Sequence, residues 1–213
     1  MTHSRKQGRS SRSACRQDVC APGATWRVFV AIDLPAEVRR HITLHAARLR
    51  EQLPEVHASW NREENIHLTL KFLGDLPVSK VEALSRATER AAGLVQPFEL
   101  RVEGCGSFPP RGAPRVLWIG IDDPTGNLAQ RYRALEDECA QEGFSREVRS
   151  LHPHLTVTRL RKPHGARRLA ELHNQIGFER MAFVAEDLRV IRSELSPQGS
   201  RYKVVSRSAF KKN

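Results

Sequence analysis

The sequence predicts an α+β fold: a bilobal, pseudo-twofold duplication of a β-α-β-α-β unit, with two antiparallel sheets facing a central cleft and helices outside. Three observations lead there. The same order of strand-like and helix-like segments runs twice along the 213 residues. A His-x-Thr core followed by an aliphatic residue holds a matching place in each run, at His67-Leu68-Thr69-Leu70 and His154-Leu155-Thr156-Val157. Between the runs, residues 104–114 are dense in Gly and Pro, the composition of a boundary loop.

In the first run, Trp26, Val28, Phe29 and Ile32 make residues 26–32 a strand by their β-branched and aromatic content. Asp33-Leu34-Pro35 opens a helix over 36–53, and Pro54 ends it. Residues 55–60 are extended. The strand over 66–73 carries the first motif and is closed by a turn at Gly74-Asp75-Leu76-Pro77. A helix over 78–94 and a strand over 97–102 complete the run.

The second run repeats this order. A strand over 115–121 precedes Asp122-Asp123-Pro124, which opens a helix reaching residue 142; residues 144–148 are extended, and the second motif strand follows. A helix over 165–176 and a strand over 182–191 come next, then a turn over 193–200 and a last strand over 202–206. Phe29 stands 38 residues before His67, and Leu117 stands 37 before His154. Such matched spacing reads as internal duplication. The folded part is expected to span 26–210 as a single bilobal domain, with lobe one at 26–104 and lobe two at 113–210.

Alternate side chains of a strand share a face, so His67 with Thr69, and His154 with Thr156, project together while Leu68, Leu70, Leu155 and Val157 are buried behind. A third His-x-Thr, at His41 and Thr43, falls where Val38, Ile42, His45 and Leu49 recur at helical spacing. Positions two apart on a helix diverge by roughly 200°, so that copy forms no site.

Thirty-five Lys and Arg against 24 Asp and Glu give a net charge of +11, which favours a polyanionic partner such as nucleic acid. Part of the excess is local: Arg5, Lys6, Arg9, Arg12 and Arg16 against Asp18 leave +4 in the first 24 residues. Residues 1–25 are therefore expected to be a disordered basic extension, either an RNA-binding arm or an uninformative addition. No run of about 18 apolar residues or secretory signal is present, so neither a membrane span nor export is expected. Cys15, Cys20, Cys105 and Cys139 are too few and scattered for a disulfide framework or a four-thiolate zinc site; reduced thiols in a cytoplasm account for them.

Two imidazoles across one cleft suit a reaction that removes a proton on one side and delivers one on the other, because an unperturbed pKa of about 6.5 lets one ring be neutral and the other protonated. Two threonine hydroxyls add neutral donors for an oxyanion. Phosphodiester cleavage fits that inventory. His152-x-His154 could chelate a metal, but no carboxylate or thiolate stands near at ligand spacing and the paired threonines would be idle. No metal or other cofactor is expected. Neither a Gly-x-Ser-x-Gly elbow nor a P-loop occurs.

At this point the residues resemble the two-histidine phosphoesterase superfamily, and within it the RNA 2′,3′-cyclic phosphodiesterases, also described as 2′-5′ RNA ligases. The likeness covers residues 27–210. It rests on the paired motifs and on residues 27–35, 65–74 and 114–118, on His152-Pro153-His154-Leu155-Thr156 with Arg159, and on 193–197 with Gly199 and Tyr202. The resemblance implies cofactor-free hydrolysis of a terminal 2′,3′-cyclic phosphate, on RNA or a nucleotide, to a 2′-phosphate. It also implies that His154 is the proton acceptor, His67 the proton donor, and Thr69 and Thr156 the phosphate holders. The residues alone are symmetric and leave acid and base open.

Arg159 lies at an odd offset from His154 and on a regular strand would face away, so it either reaches the phosphate through a bend or serves as a surface ion partner. Phe72 and Tyr202 can stack on a base or pack in a core; Trp60 and Trp118 read as packing residues. A monomer is expected. The competing readings are a ligase that joins a 5′-hydroxyl to the cyclic phosphate, and a non-catalytic basic RNA-binding module.

Overall fold

The computed structural model describes residues 23–94, 96–197 and 199–211. The basic extension lies outside these residues except at its end, where Thr25 already belongs to the first strand; Cys15 and Cys20 also lie outside.

Strand β1 (Thr25–Ile32) is followed by helix α1 (Ala36–Gln52), whose buried Val38, Ile42, His45 and Leu49 form the helical stripe legible in the sequence. The short β2 (Ala58–Trp60) precedes β3 (Leu68–Pro77), α2 (Val81–Gly93) and β4 (Phe98–Phe108). Strand β5 (Val116–Asp122) then leads into α3 (Asn127–Gln141). That helix starts later than its acidic opener because Asp123 caps it from a distance, accepting the Leu128 amide at 2.6 Å. Strand β6 (His154–Leu160), α4 (Ala166–Ile176), β7 (Met181–Ala185), β8 (Asp187–Ser196) and β9 (Gly199–Ala209) complete the chain. Among the described residues no helix is long and apolar enough to cross a membrane.

Two all-antiparallel sheets result: sheet A in the order β3-β1-β8-β9, and sheet B in the order β2-β6-β5-β4-β7. Each sheet draws on both halves of the sequence. β4 leaves the first half to pair with β5, and β8 leaves the second half to pair with β1. The helices follow: α2 and α3 pack together on sheet A, while α1 and α4 lie over sheet B around Leu49, Leu117, Leu160 and Leu169. The pseudo-twofold architecture stands, but the contiguous ranges 26–104 and 113–210 are not the two sheets, because β2 and β4 of the first run, and β8 and β9 of the second, lie in the opposite sheet.

Three local expectations are corrected for related reasons. Residues 74–77 do not turn; Gly74, at φ +68°, sits in a bulge and β3 runs on to Pro77 against β1. Residues 104–108 are strand, with a bulge between Glu103 and Cys105; Gly supplied conformational freedom inside a ladder, where its density read as a loop. The stretch 182–191 splits at Glu186 into β7 and β8, which belong to different sheets.

Lys71 on β3 is buried at 4% exposure and donates to both carboxylate oxygens of Glu136 on α3, each at 2.8 Å, and to the Ser145 carbonyl at 2.8 Å. Glu136 also accepts the Glu147 amide at 3.0 Å. This pair pins α3 and the segment approaching β6 onto sheet A. Lys71→Met leaves the carboxylate buried without its cation and is expected to cost about 3–5 kcal/mol in urea unfolding. Adding Glu136→Leu recovers only part of that loss, because the Glu147 amide then has no acceptor.

Candidate active site

His67 immediately precedes β3, and His154 is the first residue of β6, so each ring sits where backbone leaves irregular structure for a ladder. Both are held by the carbonyl two residues upstream. His154 Nδ1 donates to the His152 carbonyl at 2.7 Å, and His67 is hydrogen-bonded to the backbone of Asn65. A carbonyl only accepts, so His154 Nδ1 carries the proton and Nε2 is left for chemistry. Asn65 donates to the Ser200 carbonyl at 2.9 Å, and Asn61 donates to the Thr156 carbonyl at 2.7 Å, so the approach to the first motif is tied both to β9 and to β6.

Thr69 faces Ala31, and Thr156 faces Trp118, in equivalent register. Immediately beyond each threonine the ladder slips: Leu70 is passed over between the Ala31/Thr69 and Val30/Lys71 pairs, and Val157 between the Trp118/Thr156 and Leu117/Thr158 pairs. Each bulge lies three residues after its histidine. It inverts the alternation, so Lys71 and Thr158 become buried while Phe72 and Arg159 turn to the cleft. The bend that Arg159 needed is therefore present, and its position is the counterpart of Phe72.

A cleft of about 1080 Å³ is lined from both sheets by His67, Thr69, His154, Thr156, Phe72, Arg159 and Tyr202. All seven residues singled out in the sequence thus meet on one concave surface. Arg27 and Arg161 line it as well, and neither was anticipated. Arg27 was legible, since it alternates with Phe29 along β1 and both face the cleft; its guanidinium lies 4.8 Å from the Phe72 ring centroid. Arg161 lies beyond the end of β6, where no strand period could place it. Trp60 also lines the cleft while packing on the core behind it.

The two rings have different surroundings. His67 stacks on Phe29 with centroids 4.6 Å apart, and Tyr202 meets it edge-on at 5.2 Å. Burial among these rings pulls its pKa down to about 4, opposed by the Asn65 backbone and by the Asp33 carboxylate. His154 meets Phe108 edge-on at 5.0 Å and has Trp118 beyond, at 6.5 Å. Burial lowers its pKa too, the His152 carbonyl opposes that, and the cationic forms of His152 and Arg159 lower it further. An anion, Asp33, therefore sits in the neighbourhood of His67 and a cation, Arg159, in that of His154. Among the described residues no group of three His, Cys, Asp or Glu ligands converges in the cleft.

The LigT like Phosphoesterase family matches the chain twice, over residues 32–118 and 119–202. The chain belongs to this family. The double match repeats the duplication seen in the element order. Family relatives named RNA 2′,3′-cyclic phosphodiesterase include one from Methanothermobacter thermautotrophicus, 32% identical over 83% of this chain and 94% of its own length, and one from Thermotoga maritima, 31% identical over 86% and 95%. The crystal structure of Escherichia coli LigT complexed with 3′-AMP superposes with a TM-score of 0.69 at 26% identity, covering 88% of this chain and 99% of that one.

Trp118 lies flat over Gly106 on the neighbouring strand, where a Cβ would overlap the indole. Gly106→Ala is expected to push the ring toward His152 and His154, lowering stability by about 1–3 kcal/mol. It should also alter the His154 imidazole titration followed by NMR, whereas an unchanged titration would show that Trp118 does not buttress that ring.

Proposed function

We propose that this protein is a metal-independent RNA 2′,3′-cyclic phosphodiesterase, hydrolysing the cyclic phosphate at an RNA or nucleotide end to a 2′-phosphomonoester. The observation that carries this reading is the convergence of two His-x-Thr pairs, one from each sheet, on a single arginine-lined cleft. The names of the relatives and the nucleotide in the LigT complex support the substrate class. The cleft is assembled from one chain, so a monomer suffices, and residues 26–210 form the catalytic unit.

In the proposed reaction, neutral His154 takes a proton from water as its oxygen attacks phosphorus. The bond from phosphorus to the 3′ oxygen breaks, and His67 delivers a proton to that oxygen. Thr69 and Thr156 donate to the phosphate oxygens, and Arg159 balances their charge. Phe72 and Tyr202 offer rings to the base. Burial, the largest influence, lowers both rings, and the charges nearby run in the sense of this assignment: Asp33 favours an imidazolium at His67, whereas Arg159 favours a neutral ring at His154. The phosphate anion raises both values on binding and supplies the protonated His67 that the free protein lacks.

Two measurements test this. His67→Ala and His154→Ala should each slow hydrolysis of a short RNA ending in a 2′,3′-cyclic phosphate, assayed in EDTA, by about 10²–10⁴-fold; full activity in either variant ends the assignment. The pH profile should be a bell. Because both free imidazoles titrate below 6.5, the bell in kcat/KM lies on the acid side of that value, and the bell in kcat lies higher, since bound phosphate stabilises imidazolium. Coincident bells would contradict the role given to the phosphate charge.

A further inference from the structure

We propose that His45, His173 and Cys105 form a binding site for a zinc-class divalent cation, between helices α1 and α4 and the bulged part of β4. One ligating atom from each residue lies within 4.8 Å of the others. His45 Nε2 and His173 Nδ1 are only 2.8 Å apart. Tetrahedral zinc, with bonds of about 2.0–2.1 Å to nitrogen and about 2.3 Å to sulfur, needs its ligand atoms roughly 3.3–3.7 Å from one another. That requirement is longer than the 2.8 Å between the rings and lies inside the 4.8 Å that bounds all three atoms, so rotations that part the imidazoles are what the geometry calls for. Three protein ligands leave a fourth position open.

The surroundings are those of a ligand set. His173 Nε2 donates to the Trp118 carbonyl at 3.0 Å, which fixes the ring and leaves Nδ1 bare, the outer-shell arrangement that orients metal-bound imidazoles. The hydrogen between the two rings must then come from His45 Nε2, and it occupies the place a cation would take; its transfer to Nδ1 of the same ring frees Nε2 without changing the charge. His45 is 4% exposed and His173 fully buried, so a cation held between them would be screened from water. The Phe178 ring, edge-on to His45 at 5.8 Å, encloses the site. Two nitrogens and a thiol select zinc over magnesium or calcium. A plain hydrogen-bonded histidine pair would explain the two rings but gives the thiol no part.

The bulge at Cys105 is what aims the site. Gly106 pairs with Trp118 on the cleft side of sheet B, and Cys105 pairs with the buried Ile119 on the helix side. A cation bound there would join α1 from the first half of the chain to α4 from the second, with β4 between them.

The test titrates the full-length protein, stripped of metal, with Zn2+ by calorimetry and with Co2+ by absorption. The expected result is one equivalent bound, a thiolate-to-cobalt charge-transfer band, and a higher melting temperature with zinc. Cys105→Ser should abolish the band and weaken zinc binding at least about 100-fold, while its metal-free melting temperature matches that of the parent. His45→Gln, whose amide can still donate to His173, should weaken zinc binding likewise. A variant combining Cys15→Ser, Cys20→Ser and His154→Ala should keep both band and affinity. The proposal is overturned if the parent gives no band, if the band survives Cys105→Ser, or if it is lost in the triple variant.

Discussion

Each sheet takes two strands from the far half of the chain: β8 and β9 join sheet A, where β8 hydrogen-bonds to β1, and β2 and β4 join sheet B, where β4 hydrogen-bonds to β5. In antiparallel ladders every buried amide and carbonyl must find a partner, so neither half can satisfy its own sheet alone. The crossing fixes both sheets at once and sets their motif-bearing strands, β3 and β6, in contact. Two histidines 87 residues apart in sequence reach one cleft through this exchange. The helices obey the same crossing, with α1 lodged beside α4 and α3 beside α2.

Within that frame the site is shaped by two bulges. Strict alternation after each histidine would bury the fifth residue along, and Phe72 and Arg159 would be lost to the cleft. The slips at Leu70 and Val157 reverse this, and they also send Lys71 inward to meet Glu136. One kind of backbone irregularity therefore shapes the cleft and pins the core together. The histidines take their orientation from the backbone of Asn65 and His152, just ahead of the ladders, and so do not depend on another side chain's rotamer.

Much of this was legible in the residues. The helices showed their buried stripes, as at Val38, Ile42, His45 and Leu49, and the period-two pattern placed His67 with Thr69 and His154 with Thr156. What escaped were features with no local signature. The Gly74 and Gly104 bulges look like turns because glycine announces conformational freedom without saying how it is used. The strand crossing is a matter of partner choice, and no composition separates a β8 that joins β1 from one that joins β7. Arg161 was missed because it follows a strand end, and the proximity of Cys105 to His45 and His173 depends on two helices meeting across a sheet.

A scaffold related to itself by a twofold axis treats the two ends of any guest alike. Here the fifth residue after each histidine breaks that equivalence: an apolar ring, Phe72, stands at one end and a fixed positive charge, Arg159, at the other. A guest that is apolar at one end and anionic at the other cannot be reversed between two such ends. Two matched halves therefore need only a few differing residues to give the cleft a direction.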